Sequence, residues 1–111
     1  MNKTTLFICL VSIAMTAQQN NPKDAFLEKW QNSKTYLIGI AEAMPEEHYS
    51  FKPAERQMTF GDQLPHMRGN MLWLGNTYFT DNDFDRKSLT VNIPQGKEAI
   101  ISALTESFDA V

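Results

Sequence analysis

A chain of 111 residues has room for one domain. Its composition, 42% hydrophobic and 11% aromatic, is that of a soluble globular protein and too rich in aromatics for disorder. The formal charge is -3, with acids and bases interspersed and no basic block, which disfavours nucleic acid as a partner.

Residues 1–17 are predicted to be a secretory signal peptide. Lys3 provides a short positive start, the run from Leu6 to Ala14 (LFICLVSIA) is apolar, and Ala17 offers a small residue for cleavage before Gln18. Met15 is larger than the small residue usual two positions before the cut. The apolar run is too short to cross a bilayer, which takes about 20 residues. The expected product is exported, periplasmic or secreted, with no membrane association after cleavage. Cys9 is the only cysteine. A lipoprotein reading is disfavoured because Ile8 stands where a small residue is needed. Cleavage after Ala17 would leave a mature chain without a disulfide or a thiolate of its own.

Gln18 to Pro22 is a polar lead-in. From Asp24, apolar residues recur at three- and four-residue steps (Phe26, Leu27, Trp30, Leu37, Ile40, Ala41, Met44), predicting one amphipathic helix. Pro22 and Asp24 suit its first turn, where a missing N–H costs nothing and a negative charge meets the positive end of the dipole; Pro45 stops it. Residues 45–58 carry two prolines and read as a connector whose Tyr49 and Phe51 tuck against the bundle.

Thr59 is placed to cap a second helix, with Asp62 as an acidic near-relative of a capping-box glutamate. Its apolar stripe is Phe60, Leu64, Met67, Met71, Leu74 and Tyr78, while His66, Asn70, Trp73 and Thr77 share another, partly polar face. Pro65 interrupts the pattern. A start at Thr59 with a bend at the proline is favoured over a start near Leu64, because cap and stripe both precede it. Gly61, four residues before Pro65, relieves some of the crowding.

Residues 80–85 (TDNDFD) form an acidic loop. Leu89, Val91 and Ile93 alternate with polar residues, but a lone strand has no partner, so an extended linker is expected. A third helix starts from Gly96, with Ile100, Ile101, Leu104, Phe108 and Val111 on one face, and the pattern is still running at the last residue. Helices with long connectors and no sheet predict an all-α bundle over residues 22–111.

The stretch Ala43-Met44-Pro45-Glu46-Glu47-His48-Tyr49-Ser50-Phe51-Lys52-Pro53 resembles the connector that follows the first helix in the DinB/YfiT-like family. Met58-Thr59-Phe60-Gly61-Asp62-Gln63-Leu64-Pro65-His66 resembles the start of that family's second helix, and Met71 to Tyr78 (MLWLGNTY) its continuation. The resemblance implies an up-down four-helix bundle that holds a divalent metal, zinc or nickel, between helices. One ligand histidine lies in the second helix and two more form an H-x-x-x-H pair in the last. Some family members join a small thiol to an electrophile. His66 is the residue that matches a ligand position here. The last helix and its histidine pair have no counterpart before Val111, so the expected bundle is incomplete at its C-terminus. Pro65 departs from the aliphatic residue usual before the ligand, which puts the aim of His66 in question.

On residues alone, His66 reads as a helix histidine satisfied by hydrogen bonds, because a metal centre needs three or four converging ligands. Asp62 and Asn70, each four positions away, could serve as a weak extra ligand and an orienting partner. His48, Glu46 and Glu47 read as a solvated loop, and Trp30 and Trp73 as core aromatics. Two function classes follow: a DinB-like metal-dependent enzyme of the thiol-transferase kind, or a non-catalytic helical module that self-associates or binds another protein through its open apolar face.

Overall fold

The computed structural model describes residues 21–111; the predicted signal peptide lies outside them. The regular structure of the described residues is all helical, with no strand among them. Helix α1 is Pro22–Ala43, a 3-10 turn spans Glu46–His48, α2 is Phe60–Phe79, α3 is the single turn Ser88–Val91, and α4 is Lys97–Ala110.

Each helix begins where local chemistry demands. The Asn21 side chain accepts the Lys23 N–H at 3.1 Å, with Pro22 in the first turn of α1. Thr59 Oγ1 accepts the Asp62 N–H at 3.0 Å, so α2 starts at the earlier of the two expected positions and continues through Pro65. Its two preceding N–H groups are taken by the connector: Phe60 donates to Phe51 O at 2.9 Å and Gly61 to Tyr49 O at 2.8 Å. Gly96, with φ at 84°, sits in the left-handed region that favours glycine and turns the chain into α4.

The first two helices are antiparallel, with Phe26 near the start of α1 against Phe79 at the end of α2. Lys97 lies at the C-terminal end of α1 and Phe108 beside Trp30, so α4 is antiparallel to α1 and therefore parallel to α2. The expected up-down alternation thus holds for one step only. Residues 80–96 form a crossover that carries the chain back along the bundle before α4 begins.

Helix α4 is central, since the main helix–helix contacts are those it makes with α1 and α2. It contributes Ile100, Leu104 and Phe108 to the buried core, which Ala41, Tyr49 and Leu64 complete. Trp30 packs on Phe108 with ring centres 5.0 Å apart and donates its indole N–H to Phe108 O at 3.1 Å. Lys34 and Asp109 form an ion pair at the same end.

Three expectations need correction. Phe51 does not tuck in but is 58% exposed, its backbone N–H and carbonyl being the parts engaged. The segment around Leu89 is not extended. The Asp85 side chain accepts the Lys87 N–H at 2.9 Å and the Asp85 carbonyl accepts from Ser88, which winds the chain into α3. Trp73, half-buried, is not part of the core cluster and lies under Arg86 instead.

Candidate functional site

The second face of α2 does point into something. A groove of about 340 Å³ opens between that face and the crossover, with Asp62, His66 and Asn70 on its helix side and Arg86, Leu89 and Ile93 opposite. The spacing that puts Asp62, His66 and Asn70 on successive turns is the helical repeat itself. The crossover comes close at Gly69, where a Cβ would lie 3.6 Å from Leu89 Cδ1.

His66 is exposed, with Nε2 3.3 Å from Asn70 Nδ2. That amide therefore orients the ring from one turn away, as the sequence reading allowed. Asp62 offers its carboxylate to the same groove, while its backbone N–H is held by Thr59, so only one half of a capping box forms. His48 is exposed in the 3-10 turn and does not line this groove.

A closed zinc or nickel centre needs three or four ligand atoms at about 2.0–2.3 Å. Among the described residues no group of three or more His, Cys, Asp or Glu side chains is placed to hold a metal. His66 and Asp62 alone do not fit such a centre.

The groove also contains what the sequence reading missed. Arg68 lines it with a buried Nε that has no hydrogen-bond partner among the described residues. Arg86 reaches in from the crossover with its guanidinium carbon 4.1 Å from the centre of the Trp73 ring, a cation–π contact. Neither arginine forms an ion pair among the described residues. The apolar wall is Met58, Leu89, Ile93 and Pro94. Arg86 could not be assigned from the sequence, because nothing local says that the crossover folds back over α2.

A second side-chain cluster joins helix ends and has no catalytic geometry. The Ala41 carbonyl would bond to the N–H of residue 45 in a continuing helix, but Pro45 has none. The Tyr49 hydroxyl donates to it instead, at 2.7 Å. Lys97 Nζ donates to Glu42 O and Met44 O, at 2.7 and 2.9 Å, and Glu46 Oε1 accepts the Lys97 N–H at 3.2 Å. A cation thus sits at the C-terminus of α1 and an anion at the N-terminus of α4, each favoured by the helix dipole it meets. Glu46 is exposed, as the solvated-loop reading expects, and also caps the start of α4.

Compared with known families, with curated proteins and with solved structures, the chain matches none.

Proposed function

We propose that this chain is a DinB-like helical bundle belonging to an exported, metal-dependent enzyme of the thiol-transferase kind. In this reading His66 supplies one ligand to a zinc or nickel ion, and the remaining ligands come from residues outside 21–111. The observation that carries it is the placement of His66: it stands on the α2 face that opens into the groove, with its ring steered by Asn70. The resemblance of residues 43–78 to the family's connector and second helix supports the same assignment.

The test uses protein recovered from the periplasm of a Gram-negative host and shown by N-terminal sequencing to begin at or near Gln18, as export requires. After dialysis it should hold less than one equivalent of zinc or nickel, since a lone histidine has too few partners. The weak uptake that remains should fall at least about tenfold in His66→Ala, by comparison with the effect of removing a ligand or its orienting partner elsewhere. Uptake that is unchanged in His66→Ala would remove His66 from the metal site and the reading with it.

A second reading, the non-catalytic helical module that covers its open face with another copy, is favoured by one observation. Phe26, Leu27, Leu74, Tyr78 and Phe79 are between 42% and 74% exposed on the long helices.

A further inference from the structure

The groove beside His66 carries more positive charge than its lining acid balances. The Arg68 Nε–H is buried and has no acceptor among the described residues. A buried donor is ordinarily paired, because desolvating it without a partner costs stability. Arg86, its guanidinium carbon over the Trp73 ring, presents a second guanidinium to the same space. Asp62 is the one acid lining the groove, so two fixed positive charges face one negative. The same groove is lined by apolar Met58, Leu89, Ile93 and Pro94, of which Met58 and Ile93 are 40% and 49% exposed.

A cationic end and an apolar wall in one groove match neither a bare inorganic ion, which gains nothing from the wall, nor a neutral hydrophobe, which leaves the guanidiniums unanswered. They match an organic anion with an apolar body. Guanidinium binds carboxylate with paired, charge-assisted N–H···O bonds, and the volume of about 340 Å³ lies at the lower end of small-molecule sites.

We propose that the groove between α2 and the crossover binds a small carboxylate with an aliphatic or aromatic body, its carboxylate on Arg68 and Arg86 and its body against Leu89, Ile93 and Pro94. This site does not depend on the metal reading, because neither its charge nor its wall comes from His66.

Phenylbutyrate and its neutral amide, phenylbutyramide, are the probes, titrated into the full chain by calorimetry and by tryptophan fluorescence, which reports on Trp73 beneath Arg86. The acid should bind, and the amide should bind about tenfold or more weakly, the usual worth of a charge-assisted hydrogen bond. Arg86 is an exposed crossover residue, so Arg86→Gln should keep the fold by circular dichroism, weaken the acid about tenfold and suppress the fluorescence change. Arg68→Gln should weaken it similarly. If that variant unfolds, Arg68→Lys retains the charge and the stem but lacks the planar guanidinium fork, and it too should weaken the acid. Equal affinity for acid and amide, no binding of the acid up to about 10 mM, or acid binding that Arg86→Gln leaves untouched would each overturn the proposal. Metal uptake through His66 should be unaffected by Arg86→Gln, so failure here and failure of the metal reading are separate results.

Discussion

Tyr49 shows how one side chain can close two problems. Pro45 ends α1 but orphans the Ala41 carbonyl, and the connector must be held against α2. The Tyr49 hydroxyl satisfies the first need, while its ring, edge-on to Phe60 with centres 5.1 Å apart, meets the second. Burial, and then the nearby Glu46 and Glu98 carboxylates, raise the Tyr49 pKa above its ordinary value of 10.0. A group that holds its proton more tightly when folded adds stability that is complete below its unfolded pKa. That stability is lost as pH rises from about 10 through the higher folded value. Denaturant unfolding between pH 8 and 11 should therefore show a decline that Tyr49→Phe lacks, alongside a constant loss of about 1–2 kcal/mol from the missing hydrogen bond. An identical pH profile in the two proteins would contradict this account. That Tyr49 packs inward was legible in the sequence, because a large aromatic in a polar connector needs somewhere dry. Its partner was not, since Ala41 O becomes an acceptor only through the geometry that Pro45 imposes. Phe51 misleads for the same reason: nothing local says which of two aromatics the turn will bury.

At the level of elements, helix boundaries were legible and close approaches were not. Thr59, Pro45 and Gly96 act on their own neighbours, so their effect can be read from spacing alone. Gly61 was assigned to Pro65 on local grounds. Its larger role is to admit Tyr49: a Cβ there would lie 3.2 Å from the Tyr49 carbonyl oxygen. Gly75 is tighter still, because a Cβ would fall 2.7 Å from Val111 Cγ2, where α2 and α4 run together. Gly39, near the C-terminal end of α1, has open space around it. Alanine is favoured over glycine inside a helix by about 0.8–1 kcal/mol. Gly39→Ala should accordingly raise the unfolding free energy by about that amount. Gly75→Val should lower it by about 1–3 kcal/mol, the usual cost of overfilling a packed contact. Thermal melts of the pair read the contrast directly, and a Gly75→Val protein as stable as the parent would mean that α4 does not lie on α2 in this way. The alternation at Leu89, Val91 and Ile93 was misread because its decisive interactions are the side-chain bonds of Asp85, upstream of the pattern.

For the whole molecule, the small core decides behaviour. Six hydrophobic side chains are buried among the described residues, while Phe26, Leu27, Leu74, Tyr78 and Phe79 remain substantially exposed on α1 and α2. Burying one such side chain is worth about 1.5–3 kcal/mol, against a total domain stability of about 5–15 kcal/mol, so a few absent contacts consume much of the margin. Exposed apolar surface of this kind also recruits partners. Residues 21–111 in isolation should therefore run as an oligomer in light scattering or, if monomeric, bind an apolar dye and melt without a sharp transition. A monomer that melts cooperatively and binds no dye would show that these helices close a core by themselves. The all-helical class was legible because hydrophobic period is a local property. The parallel course of α2 and α4 was not, because it is set by the crossover.

The central position of α4 also has a consequence in time. Helices α1 and α2 meet α4 more than they meet each other, and half of the buried hydrophobic residues are Ile100, Leu104 and Phe108. A ribosome makes the N-terminal end first, so the core residues of α1 and α2 are synthesised before the helix they pack on exists. Until α4 emerges, the growing polypeptide has two amphipathic segments and nothing between them. Such a nascent chain has little to fold around, and its stable burial waits until α4 has been made.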